Sequence, residues 1–302
     1  MFRRLSQFGT KTLLTVALSL LVVPGSTAAA EDQIRRADTV VAREAATIWY
    51  PARSARRLPL ALILPGANVG RGYYSRFAAA IAEYGFVVLV PERDLTSADN
   101  APRGYGLVEA LTWAREQAGD PASAVGARID PTALVVAGHS YGGAAALFAT
   151  TDRCRPPFCS AADYRRPPEL KAFVGYGTNT SVGTEVEAVD VGGIPVMYVN
   201  GTEDGVSEPA EAYESFAKIS GAPSAAYVHL LGANHFGLAD IDNPPGAAPD
   251  PRPGTAPQHE TATTAARWTA SWFRAQLGDP VAREWVYTIG PRVDSAVRVE
   301  IR

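Results

Sequence analysis

The stretch Leu134-Val135-Val136-Ala137-Gly138-His139-Ser140-Tyr141-Gly142-Gly143 decides the fold, and an alanine-rich segment, Ala144-Ala145-Ala146-Leu147-Phe148, follows it directly. Four consecutive apolar residues read as a strand buried on both faces. The segment after Ser140 reads as a helix. Between them the chain has to turn sharply, and flanking glycines remove the side chains that would clash there. A serine in that turn has an exposed hydroxyl, and the helix N-terminus points at charge developing nearby. A helix cap at a close strand–helix contact is the plainer reading of the same residues.

Working outward, the same apolar form recurs at Leu60–Leu64, Phe86–Val90, Ala172–Tyr176, Pro195–Val199 and Ala226–Leu231. Helical patterns lie between the runs, over Tyr74–Tyr84, Gly106–Gln117, Tyr141–Ala149, Glu208–Ile219 and Glu260–Leu277. Alternation of this kind predicts an α/β fold with a mostly parallel central sheet and helices on both faces. Residues 31–50 are expected to add edge strands. The alternating segment Val293–Ile301 has no place in that scheme. Asn243–Pro257 carries six prolines, too many for a helix or central strand. It reads as an ordered excursion over one end of the sheet or as a disordered insertion, and its position allows it to roof a site.

The chain has 302 residues, 47% of them hydrophobic and 20% charged, with a formal net charge of −3. That is enough apolar side chain for a substantial core and excludes a disordered or collagen-like chain. Arg3, Arg4 and Lys11 precede or open the largely apolar run Leu13–Val23, and Ala28-Ala29-Ala30 follows. This is the form of a signal peptide over residues 1–30, with 31–302 as a single exported domain and no stable membrane insertion. The acidic remainder offers no basic stripe, so no nucleic-acid partner is expected. The only two cysteines, Cys154 and Cys159, are expected to form a loop-closing disulfide. No metal or cofactor is expected, and the protein is read as a monomer.

A serine nucleophile needs a base. Of the four histidines, His139 adjoins the serine but should point away from it, His229 lies in a predicted strand, and His259 precedes the last helix. His235, in Gly232-Ala-Asn-His-Phe-Gly237, follows the carboxyl end of a strand, where α/β sheets place their sites. The orienting acid is expected in the order Ser, Asp, His. Asp204 follows the strand Pro195–Val199; Glu203 is its rival, Asp190 lies at the wrong end and Asp240 comes after the histidine. For an oxyanion, the expected backbone donors are Tyr141 N–H and Ala67 N–H, the latter in the loop Pro65-Gly-Ala-Asn-Val-Gly70. Asn68, Tyr73 and Phe236 are the candidate substrate contacts. Tyr74 and Tyr176, at the same edge, read as core residues.

Together these residues resemble the α/β-hydrolase fold, in the branch holding dienelactone hydrolases, chlorophyllases and polyester-hydrolysing cutinases. The resemblance runs over residues 58–277 and rests on Leu64-Pro-Gly-Ala, Ala82-Glu-Tyr-Gly-Phe-Val-Val, Gly138–Gly143 and the Asp204 and His235 loops. The segment from Asn234 to Pro245 is chlorophyllase-like. There are departures. Polyester-hydrolysing cutinases usually have an aromatic where Ala67 stands and methionine where Tyr141 stands. Dienelactone hydrolases use cysteine as nucleophile, and chlorophyllases usually carry arginine after it. The resemblance therefore implies hydrolysis of a small-molecule or polymeric carboxylic ester, without naming the ester. An acyltransferase or amidase with the same triad, or a binding protein on the same fold, are the alternatives.

Overall fold

The structure, a computed structural model, describes residues 34–92, 104–182 and 185–302. The leader expected over 1–30 lies outside them. Among the described residues, the main sheet comprises β1 (Ile34–Val41), β2 (Glu44–Pro51), β3 (Leu58–Leu64), β4 (Val87–Pro91), β5 (Ile129–His139), β6 (Leu170–Tyr176), β7 (Val196–Gly201), β8 (Ala225–Leu230) and β9 (Val297–Ile301). Their order is β1-β2-β4-β3-β5-β6-β7-β8-β9. The six strands from β4 to β8 are parallel, while β1, β2 and β9 are antiparallel additions at the two edges. Residues 34–51 thus form the expected edge strands. The unplaced C-terminal segment becomes β9, paired to β8 with Val228 opposite Val299.

The strands are apolar on both faces because both faces are covered. Leu60, Leu62, Leu134, Val136, Phe173, Val196 and Tyr198 enter one core. Their chain neighbours Ala61, Ile63, Val135, Ala137, Val174, Met197 and Val199 enter the other. Against the first pack α2 (Leu107–Gly119), α3 (Tyr141–Phe148) and α4 (Pro209–Ala217), through residues such as Leu111, Phe148 and Phe216. Against the second pack α1 (Ser75–Glu83) and α5 (Gln258–Gln276), through Phe77, Ile81, Trp268, Trp272 and Phe273. Burying each such side chain contributes about 1.5–3 kcal/mol before conformational entropy is set against it.

Strand β5 begins earlier than the apolar run, at Ile129, and its register against β3 shifts between Pro59 and Leu60. Asp130 pairs with Pro59, then Leu134 with Leu60, so Pro131-Thr-Ala133 bulges out and the ladder avoids Pro131, which has no N–H to donate. The chain leaves β3 toward β4 on one side and returns to β5 on the other. The loops after β3 and β5 therefore diverge at one edge of the sheet, which opens a crevice at their carboxyl ends.

Candidate active site

Four loops meet at that crevice. Ser140 joins β5 to α3 with φ +52° and ψ −121°, outside the regions ordinary residues favour. The turn is held from outside. Ser140 N–H donates to Tyr176 O at 2.9 Å, and Thr178 Oγ1 donates to Ser140 O at 3.0 Å. A Cβ at Gly142 would overlap the carbonyl oxygens of Leu64 and Pro65, and one at Gly138 would overlap Gly142 O. The glycines are thus fixed by close backbone approach of α3 to the end of β3.

Asp204 follows β7 and is fully buried; His235 follows β8 and is nearly so. His235 Nδ1 lies 3.0 Å from both Asp204 carboxylate oxygens. An ionised carboxylate only accepts, so Nδ1 carries the proton and Nε2 presents a lone pair. Asp204 Oδ1 also accepts Val206 N–H at 2.9 Å and Ser207 N–H at 2.7 Å, which fixes the acid by its own turn. The rival Glu203 takes a bond from Thr202 Oγ1 and does not pair with the histidine. Ser140, His235, Gly66, Ala67, Asn68, Val69, Val206, Phe236, Ala247 and Ala248 line one cavity of about 160 Å³.

His139 also lines this cavity, and its ring nitrogens bond groups other than the serine. It is buried, with Nε2 2.9 Å from the carbonyl oxygen of His235 and Nδ1 2.9 Å from Tyr74 OH. The carbonyl can only accept, so His139 carries its proton on Nε2 and accepts from Tyr74 at Nδ1. Tyr74 in turn accepts Gly66 N–H at 2.8 Å. A three-bond chain therefore runs from the loop after β3, through Tyr74 and His139, to the main chain of His235. Burial first, and then repulsion from His235, holds the His139 pKa well below the usual histidine range. Tyr176 donates to Asn234 O at 2.9 Å; burial and the charges of Asp204 and Asp250 push its pKa well above the usual tyrosine range. Tyr74 and Tyr176 are core residues, as their sequence positions suggested.

The other expected residues fall as follows. Asn68 and Phe236 line the cavity; Tyr73 does not, and packs instead against the core beneath α1 and α5. Tyr141 places its ring 4.6 Å from that of Phe158, and its hydroxyl bonds Pro157 O at 3.2 Å. Cys154 and Cys159 are joined, with Cα atoms 5.2 Å apart, so the disulfide loop carries the group that Tyr141 rests on. His229 pairs with Glu300 at 3.1 Å on the sheet edge, and His259 is exposed at the start of α5. Asn243–Pro257 folds against the site and puts Ala247 and Ala248 on the cavity wall. Its Asp250, buried under both loops, was not foreseen. Nothing in the local sequence marks it, because the partners that tie it to the site, Gly205 and His235, lie 45 and 15 residues away.

A mostly parallel sheet with this strand–turn–helix serine at its carboxyl edge is the α/β-hydrolase fold. Within that class the chain belongs to the PETase family, PET hydrolase-like, whose profile it matches over residues 15–244. It is 28% identical over 191 residues to Cutinase 2 of Thermobifida cellulosilytica, covering 63% of this chain and 64% of that one. With Cutinase cut1 of Thermobifida fusca it shares 28% identity over 191 residues, 63% of this chain and 53% of the relative. With the bis(hydroxyethyl) terephthalate hydrolase of Streptomyces coelicolor it shares 27% over 243 residues, 79% and 64% of the two chains. The matched region thus spans between about half and two-thirds of these relatives' lengths.

Proposed function

We propose that the protein is an exported serine esterase in which Ser140, His235 and Asp204 form the catalytic triad. The observation that carries this reading is the buried Asp204–His235 pair, whose histidine lines one cavity with a strained Ser140. His235 Nε2 takes the Ser140 proton as the hydroxyl oxygen attacks the ester carbonyl. The oxyanion that forms is held by the N–H groups of Ala67 and Tyr141. His235 then protonates the leaving alcohol, and water activated by the same imidazole hydrolyses the acyl-enzyme. Asp204 stabilises the imidazolium without taking its proton.

Relatives named for cutin and for bis(hydroxyethyl) terephthalate support an ester substrate. Small apolar walls at Val69, Val206, Ala247 and Ala248 suit an apolar acyl or alcohol group. The leader-like residues 1–30 and the Cys154–Cys159 bond support export into an oxidising compartment. The test is labelling of the purified protein with a fluorophosphonate, the adduct located by peptide mass spectrometry, alongside turnover of nitrophenyl esters. An adduct on Ser140 is expected, and Ser140→Ala should stay folded while kcat falls by about 10⁴-fold or more. Ester turnover that survives in Ser140→Ala rules the mechanism out.

A further inference from the structure

A second buried carboxylate stands behind the candidate base. Asp250 Oδ2 accepts the backbone N–H of His235 at 2.7 Å, and the same carboxylate accepts Gly205 N–H at 3.1 Å and Arg252 N–H at 2.8 Å. Gly205 is the residue after Asp204. One side chain therefore ties the main chain of the base to the main chain of the acid, although 15 residues separate it from one and 45 from the other. A carboxylate this buried has to be paid for by its partners, and three amide donors supply charge-assisted bonds.

We propose that Asp250 is a positioning residue for His235, and that the proline-rich loop is the clasp that holds the His–Asp pair at its 3.0 Å separation. The loop is built for this. Asn243, in a left-handed conformation with φ +47°, aims Oδ1 at Asp250 N–H, 2.7 Å away. Asn234, the neighbour of the base, donates to Arg252 O at 3.2 Å and to Asp242 Oδ1 at 2.8 Å. At the far end, Thr255 and Ala256 N–H both donate to Gly232 O, at 2.8 and 3.0 Å. The prolines around Asp250 lower the number of conformations the free loop can sample, so less order is lost in docking it. Because Ala247 and Ala248 belong to the same loop, the cavity wall and the base are fixed by one device.

This inference builds on the esterase reading, and its test separates the two. Asp250→Asn keeps the shape but replaces one acceptor with an NH₂ that faces a backbone N–H, so one of the amide bonds must be lost. Two readouts are taken on the folded full-length variant. The first is the downfield proton resonance of His235 Nδ1–H, which reports the bond to Asp204 and needs no activity. It should move upfield or broaden, with faster exchange of the His235 and Gly205 amides. The second is nitrophenyl ester kinetics, where kcat should drop about tenfold or more while KM stays within about twofold. An unmoved resonance with wild-type kcat overturns the proposal. Should Asp250→Asn not fold, Asn243→Gly keeps the backbone conformation and removes only the anchor of Asp250. It should move the same resonance and lower kcat several-fold, and no change in either overturns the proposal equally. Wild-type protein without ester turnover would refute the esterase, while the resonance still decides on Asp250.

Discussion

Tyr74→Phe removes one oxygen atom and breaks two buried hydrogen bonds. The hydroxyl accepts Gly66 N–H at 2.8 Å and donates to His139 Nδ1 at 2.9 Å, and both bonds are buried. The ring stays, so apolar packing against Phe77 and Val69 in the same core is kept. A buried donor left unsatisfied costs about 1–3 kcal/mol, and the orphaned imidazole nitrogen adds a smaller amount. The expected loss is therefore about 2–4 kcal/mol, a large share of a typical total of about 5–15 kcal/mol. Denaturant titration measures it as a lower midpoint with an unchanged slope. Activity should suffer separately. Gly66 is the residue before Ala67, whose N–H is the proposed oxyanion donor, and loss of one such donor costs about 10²–10³ in kcat. Loosening rather than deleting it should cost about 10–100-fold, with KM little changed. A variant that loses less than about 0.5 kcal/mol and retains wild-type kcat would show that the Gly66–Tyr74–His139 chain fixes nothing.

Cys154→Ser should lower stability by about 2 kcal/mol, from the small loop that the bond closes. In a scan it should show as a melting point lower by about 5 °C, with most esterase activity kept. Gly142→Ala should give no soluble folded protein, because the added carbon meets the carbonyl oxygens of Leu64 and Pro65, which cannot move without breaking β3; a native circular dichroism spectrum would contradict that. For pH, His139 is buried neutral with its pKa depressed, while in the unfolded chain it titrates near 6.5. Below that value the unfolded state binds the extra proton, so stability falls as pH falls. Between pH 7.5 and 5.5 this one group removes about 1.4 kcal/mol, and His139→Gln should flatten the profile by that amount.

What could be read in the sequence was what depends on neighbours in the chain. The apolar runs predicted the central strands, since burial on both faces leaves no alternation to misread. The Gly138–Gly143 turn marked Ser140 because the strand–turn–helix pattern is itself contiguous, although the clash that Gly142 avoids is with the distant Leu64 and Pro65 carbonyls. The Asp204 and His235 loops followed from position after a strand. What escaped depends on pairing at a distance. Val297–Ile301 is a strand only because β8 has a free edge for it. Tyr73 and Tyr74 are adjacent at the start of α1, and only the packed core decides that the first misses the cavity while the second supplies a buried hydroxyl. Asp250 sits between Pro249 and Pro251, where composition suggests only a loop.

These long-range bonds explain how a strained turn survives at the end of β5. Holding Ser140 in its unfavourable conformation costs about 1–3 kcal/mol, and α3 alone, eight residues long, is too short to enforce it. The restraint comes from the end of β6 and the segment just after it, through Tyr176 O and Thr178 Oγ1. Tyr176 also donates to Asn234 O, so the strand that holds the serine holds the histidine loop as well. His139 reaches that loop from the other side, at His235 O, and Asp250 holds His235 N–H. His235 is thus gripped at its N–H by the proline-rich loop, at its carbonyl by the residue preceding Ser140, and at its ring by Asp204. Three segments far apart in sequence converge on one residue, so a change in any of them should reach the ring geometry before it reaches the global fold.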